Sequence, residues 1–312
     1  MKLRTASLLD FSQIEQIHRE AEARLSTAPP PARLWALVSQ TLSALLPLSQ
    51  ETLLYVAEDR GRVIGFVQAS GRTPTLGLPP KASALQILNL CLAAEPGRDD
   101  QEVATALVEH LCEHAGRNGV TRLFVRIPLD DPLLPIFRLE GFRQYATESV
   151  LYAEGAGAHT SAVPLGLRGA RGRDSRLLYH LYRKATPLGV AQLEAPSYKA
   201  WRAQRDDPGH QELVDRVEVV GWLGVRRSSQ GRPHQLSFMA LPEAGLADEL
   251  ADRALAVSDG GPAWSSLRHY DAHMIDALRG RGFTLLLTQA LLVRELVVRV
   301  PLPEKGLVPS FG

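Results

Sequence analysis

Residues 87–111 read ILNLCLAAEPGRDDQEVATALVEHL, and this stretch decides the fold. The apolar run over 87–94 has the length and composition of a buried strand, and a Pro96-Gly97 turn follows it. Asp99 and Asp100 then open a helix whose apolar Val103, Leu107 and Leu111 recur every four positions. A strand running straight into a helix N-terminus is a natural anion site, because free backbone N–H groups and the helix dipole point outward. Here that end carries its own carboxylates, Asp99, Asp100 and Glu102. Asp99 and Glu102 stand at capping-box spacing, so the predicted helix caps itself where a phosphate would otherwise sit.

Outward from this unit, the first half alternates strands and helices. Residues 3–7 form a short candidate strand, and Asp10 can cap a helix over 11–25 with Ile14, Ile17 and Ala21 on one face. A second helix starts at the prolines of PPPARLWALVSQTLSALL and runs through Leu34, Val38, Leu42 and Leu45. Residues 52–58 and 62–70 read as a hairpin about Asp59-Arg60-Gly61, and a Gly/Pro-rich loop over 71–80 follows. After the opening unit come a strand over 122–127, a short helix over 131–140, the Gly141-Phe142 turn and a last strand ending near Tyr152.

Residues 154–162 (EGAGAHTSA) are small and polar, in the manner of a linker. The order then repeats: a strand over 163–167, helices over 174–186 and 195–205, and strands over 217–227 and 234–241. A helix over 244–257, a strand over 263–268, a helix over 271–281 and a strand after Gly282-Phe283 complete it. The predicted organisation is a duplicated α/β unit with mixed sheets: 1–153, a linker at 154–162, and 163–312. The length, 312 residues, agrees with two domains of ~150.

The net charge of +1 argues against electrostatic capture of nucleic acid or of a membrane surface. No apolar run is long enough to span a bilayer, and residues 1–20 read as an amphipathic helix rather than a leader. Cys91 and Cys112 fall in the predicted strand and helix, as two buried thiols suited to a reducing cytoplasm.

This element order resembles the GNAT acetyltransferase fold, and the chain is identified as a tandem member over nearly its whole length. In that family an Arg/Gln-x-x-Gly-x-Gly/Ala loop follows a proline, and its backbone N–H groups hold the acetyl-CoA pyrophosphate. Pro96 falls at the proline, and Thr105-Ala106-Leu107-Val108 falls on the helix that follows. Asp99 takes the basic or glutamine position, Glu102 the first glycine, and Ala104 is acceptable at the second. In the second half Pro242 matches the proline, but EAGLADELADRAL contains no Gly-x-Gly. The family also often uses the tyrosine of a Tyr-x-x-x-Gly-Phe pattern to reprotonate the leaving thiolate. Phe137 and Leu278 stand there, and neither donates a proton.

The resemblance implies acetyl-CoA as cofactor and an amine acceptor, small molecule or peptide. Leu92, Ala93 and Ala94 would hold the thioester carbonyl by backbone N–H groups, with Arg98 and Ala104 completing the cofactor site. His269, Tyr270 and His273, after the strand over 263–268, are the candidate catalytic residues, since two imidazoles and a phenol can move protons. The bland alternative is a polar loop capped by Asp271. His110-x-x-Glu113-His114 has a zinc-protease pattern, but Leu107 and Leu111 claim that helix for the core and no metal is assigned. Trp201, Trp222 and Trp264 read as core. Two functions stand: an N-acyltransferase, or a pseudoenzyme that keeps the fold as a binding or assembly module. The acceptor, the half that is active and the oligomeric state stay open.

Overall fold

The computed structural model describes residues 1–26, 52–71, 84–94, 97–155, 165–205, 207–228 and 232–296. The first half comprises β1 (Lys2–Thr5), α1 (Phe11–Ser26), β2 (Thr52–Asp59), β3 (Arg62–Ser70), β4 (Ala84–Leu92), α2 (Asp100–Arg117), β5 (Arg122–Pro128), α3 (Leu134–Leu139) and β6 (Arg143–Ala153). The second half comprises β7 (Leu167–Gly169), α4 (Ser175–Ala185), α5 (Leu188–Glu194), α6 (Tyr198–Gln204), β8 (His210–Asp215), β9 (Val219–Arg226), β10 (His234–Ala240), α7 (Ala247–Val257), β11 (Ala263–Arg268), α8 (Ala272–Arg279) and β12 (Thr284–Glu295).

All of these strands join one mixed sheet, ordered β1-β2-β3-β4-β5-β12-β6-β11-β10-β9-β8-β7. From either edge inward the same series appears, with one exchange. β12 pairs with β5, and β6 pairs with β11, so each half's last strand is built into the other's sheet. β6 and β12 lie antiparallel at the centre, with Glu148 facing Gln289. Each carries a bulge three residues before that pair, at Tyr145 and at Leu286, which have no facing partner in the ladder.

Burial follows the exchange. Ala290 and Leu292 of β12 sit in the core that α2 closes, with Val67, Ile87 and Val125. Leu151 and Ala153 of β6 sit in the core under α7 and α8, with Leu223, Leu267 and Leu278. Each fully buried leucine contributes about 1.5–3 kcal/mol. The opposite face is covered by α1 in one half, through Ile14 and Ile17, and by α4 and α6 in the other, through Leu178, Leu181 and Trp201. β3 is buried on both faces and therefore reads as a continuous apolar run. The β2–β3 hairpin turns at Arg60 and Gly61, both with positive φ (47° and 83°), which matches strand twist.

A finer repeat accompanies the repeated strand series. The sequence L-R-x-A-x-x-x-D occurs at 3–10 and again at 167–174. Arg4 grips Asp10 with both terminal nitrogens (2.7 and 2.8 Å) and Glu58 with Nε (2.7 Å). Arg168 grips Asp174 (2.8 and 3.1 Å) and Asp215 (2.7 Å) in the same way. Each aspartate also accepts a backbone N–H, from Ser7 and from Arg171.

Several expectations change. β8 is an additional strand, where residues 210–215 (HQELVD) lack the apolar run that marks the other strands. The strand expected over 163–167 begins at Leu167, and the helix expected over 195–205 is preceded by a separate helix, α5. The helix through 34–45, most of the loop over 71–80 and most of the 154–162 linker lie outside the described residues.

Candidate functional site

Each half contains a place where parallel neighbours part. The β4–β5 ladder ends at Ile87↔Val125, after which β4 follows β3 to Leu92↔Gly65 and β5 follows β12 to Pro128↔Gln289. The β10–β11 ladder ends at Leu236↔Ser265, after which β10 follows β9 to Ala240↔Gly221 and β11 follows β6 to Arg268↔Glu148. A cleft between parting strands brings backbone and side chains of several elements to one point. β4 also bulges at Leu88, whereas the β9–β10 register is unbroken.

In the first half the helix end beside the cleft is already occupied. Asp99 Oδ1 accepts the N–H groups of Gln101 (2.9 Å) and Glu102 (3.2 Å), so Asp99 supplies the side-chain cap of α2. Arg98 pairs with Asp100 (2.7 Å) and donates to the Ala93 carbonyl, tying the strand end to the helix start. The Ala93 N–H donates to Ile64 O at 3.0 Å, so that donor is committed to the sheet edge. Leu92 is half-buried and Ala94 exposed. Ala104 is fully buried in the α2 core face. Phe137 is buried edge-on against Phe142, with ring centroids 5.2 Å apart.

In the second half α7 starts after Gly245 (φ 62°), with Leu246 at the cap position and no side-chain cap. Of its two first-turn acids, Asp248 is drawn sideways, while Glu249 Oε2 is buried without a hydrogen-bond partner among the described residues. Arg281 holds Asp248 (2.7 Å), Asp252 and the Ala277 carbonyl (2.8 Å), locking α7 to the end of α8. Leu278 is core.

The densest chemistry lies where the second cleft meets the central seam. Arg268 ends β11; its Nε lies 3.2 Å from Glu148 Oε2 and its Nη2 donates to Glu194 Oε1 at 2.8 Å. Glu148 also accepts from Ser266 (2.5 Å) and Gln289 (2.6 Å), with Arg126 Nη1 at 3.8 Å. Burial pushes the Glu148 carboxyl up, but Arg126, Arg268 and these two donors pull it down to about 2. Tyr145, the bulged residue of β6, donates to Glu194 at 2.7 Å. Tyr182 of α4 and Tyr270 complete the group, and burial raises the pKa of all three phenols. Burial pushes Asp271 up to about 6, against the pull of the Arg268 backbone N–H and guanidinium. Arg122 of β5 donates to the last carbonyls of α5, Gln192 (3.3 Å) and Leu193, so α5 spans the two halves and carries Glu194 into the seam.

Of the three expected catalytic residues, the structure brings Tyr270 into this cluster, against Thr186 and under the field of Arg268 and Glu194. His269 is exposed, with its ring 5.5 Å from that of Tyr270. His273 is half-buried, its Nε2 has no hydrogen-bond partner among the described residues, and desolvation lowers its pKa. Asp271 makes no side-chain cap to α8, so the polar-loop alternative lacks its proposed cap. Sequence reasoning missed Glu148, Glu194 and Arg268, which lie far apart along the chain. For Glu148 and Arg268 the available signal was a charge inside or at the end of a strand, while Glu194, at the end of α5, carried none.

The other candidates resolve into structure. The rings of His110 and His114 lie tilted against each other, with Tyr55 edge-on to His110 and tilted to His114, at centroid distances of 4.1 to 5.2 Å, and among the described residues no group of His, Cys, Asp and Glu is arranged to hold a metal. Arg205 lies between Trp201 and Trp222, 5.2 Å from each ring. Trp264 is fully buried.

Comparison with known proteins fits this geometry. Residues 13–142 match the model of the acetyltransferase (GNAT) family. A GCN5-related N-acetyltransferase from Sphaerobacter thermophilus is similar across 94% of this chain and 95% of its own, at 16% identity and a TM-score of 0.57. A tandem GNAT protein from the clavulanic acid biosynthesis pathway is similar over 94% and 98%, at 15% identity and 0.57. A putative acetyltransferase from Pyrococcus horikoshii is similar over 96% and 91%, at 13% identity and 0.53. These likenesses show a GNAT-like fold across the chain. No protein of curated function matches the sequence.

Proposed function

We propose that this tandem GNAT-fold chain transfers an acetyl group from acetyl-CoA to an amine, and that the second half does the work. The observation that carries this reading is the buried cluster of phenols and carboxylates beside the β10–β11 cleft. The first half does not suit the cofactor, because Asp99 already holds the N–H groups a pyrophosphate needs. The uncapped start of α7, following Gly245, suits it better, and its backbone N–H groups are the ones that would face phosphate. Acetyl-CoA, when bound, supplies the acyl group as a thioester.

Asp271, with a carboxyl pushed up to about 6, takes the proton of the incoming ammonium. Tyr270, a phenol whose pKa burial raises further above neutral, is protonated and returns a proton to the leaving sulfur. That phenol does what a tyrosine before Gly-Phe does elsewhere in the family, in a half where Leu278 occupies that place. Two free cysteines, Cys91 and Cys112, agree with a reducing cytoplasm. No helix among the described residues is long and apolar enough to cross a membrane.

The second reading, a binding or assembly module without catalysis, draws on the closed Asp99 cap and applies to the first half. The test is thiol release from acetyl-CoA by the full chain with a panel of amines. Turnover that falls roughly 10²-fold or more in Asp271→Asn supports transfer. No turnover with any amine, together with no acetyl-CoA binding by calorimetry, leaves the module reading for the whole chain.

A further inference from the structure

We propose that the seam cluster binds a small zwitterion, an amine that also carries a carboxylate. Arg268 Nη1 and the Tyr182 hydroxyl receive the carboxylate, and Glu194 and Asp271 receive the ammonium. This rests on the reading that the second half acts on an amine, and it names the class of that amine.

The argument starts from one donor without an acceptor and a second that is poorly satisfied. Arg268 uses Nε on Glu148 and Nη2 on Glu194, while its buried Nη1 has no partner among the described residues. The buried Tyr182 hydroxyl completes no hydrogen bond of good geometry among the described residues, although it lies beside Glu194; burial, and then the charge and weak hydrogen bonding of Glu194, raise its pKa. Buried polar groups are rarely left unpaired, so these two donors in one cluster mark a missing oxygen acceptor. Arg268 stands three residues past Ser265, the last β11 residue paired with β10, where the sheet has opened.

Charge then selects the ligand. Around this point stand Arg126 and Arg268, against Glu148, Glu194 and Asp271. A simple carboxylate would add a further negative charge to a group that already carries more acids than bases. A simple amine would leave Nη1 unpaired and the phenol poorly satisfied. A zwitterion satisfies both donors and both acids while adding no net charge to a buried site. The site is composite, because Tyr145 and Glu148 come from β6, the last strand of the first half.

Calorimetry on the full-length protein, without acetyl-CoA, tests this with matched probes: L-alanine, ethylamine and propionate; L-phenylalanine, phenethylamine and 3-phenylpropionate. The expected result is that an amino acid binds at least roughly 10-fold tighter than its amine and acid counterparts, equivalent to ~1.4 kcal/mol. Tyr182→Phe, which removes a poorly satisfied hydroxyl and should fold normally, reduces that preference to about threefold or less, as does Arg268→Lys. Equal or tighter binding of the plain amines, no binding of either amino acid at millimolar concentration, or a preference unchanged in both variants overturns the proposal. Amino-acid binding without acetyl transfer overturns the catalytic reading and leaves this one standing. Acetyl transfer to phenethylamine as efficient as to phenylalanine does the reverse.

Discussion

Gln289 Nε2 donates to Glu148 Oε1 at 2.6 Å, across two strands that each belong to the other's half of the sheet. The contact joins the halves at their shared axis and helps to keep Glu148 ionised beside Arg126 and Arg268. A carboxyl depressed to about 2 contributes stability that is complete above its unfolded value and is lost as pH falls through about 2. Thermal stability should therefore fall between roughly pH 4.5 and pH 2, more steeply in the native protein than in Glu148→Gln. At neutral pH that substitution leaves Arg268 and Arg126 short of a counter-charge and should cost about 3–5 kcal/mol. Scanning calorimetry should show a fall of roughly 6–20 °C in Tm.

Asp271 shifts the other way, and its two effects separate. Because its pKa is raised, the stability it provides is complete below the unfolded value near 4 and is lost as pH rises through about 6. Its proposed work as a base begins as it ionises. Acetyl transfer should rise along a limb with an apparent pKa near 6, and Asp271→Asn should remove that limb while raising stability at pH 8. A pH–rate profile of kcat/KM together with a melting curve reads both.

The first-half helix end predicts a stoichiometry. With Asp99 holding the Gln101 and Glu102 donors, the full chain should bind one equivalent of acetyl-CoA, in the second half. Asp99→Arg combined with Glu102→Gly opens the loop and should raise calorimetric stoichiometry toward two. Asp99→Ala alone removes the cap and should cost about 1 kcal/mol of stability.

The exchanged strands predict that severing the chain will not separate its parts. A protease site inserted between residues 156 and 164 should yield two fragments that still co-elute in gel filtration. They are held by the β5–β12 and β6–β11 ladders and by Arg122 on α5. Residues 1–155 expressed alone should self-associate or aggregate, since β5 then presents an unpaired edge rich in apolar side chains. A soluble monomer of that fragment would show that the ladders are dispensable.

Much of this architecture was legible in the residues. Arg62–Ser70 and Ala263–Arg268 were readable to their end residues, because apolar patterning and flanking turns bracket them closely. His210–Asp215 was not, since its polar composition hides a strand whose pairing is decided by neighbours. The strand exchange was also out of reach, because periodicity reports which face a side chain takes and never which strand lies beside it. The L-R-x-A-x-x-x-D repeat was readable but easily passed over, as its meaning is the ion-pair clasp seen only in three dimensions. Asp99 as a helix cap was legible, since capping is local. The seam cluster was not, because Glu148, Glu194 and Arg268 meet through tertiary structure.

The exchange also sets a timetable for synthesis. Arg122–Pro128 finds its sheet neighbour in Gln289–Glu295, which the ribosome reaches 167 residues later. At ~5–20 residues per second, that is roughly 8–33 s during which the first half is made but incomplete. Over this interval β5 presents Val125 and Ile127 on a strand whose edge awaits its partner. Crowding among nascent chains, slow codons in the second half, or scarce chaperone capacity would each bear on yield through this waiting edge, whatever the stability of the finished protein.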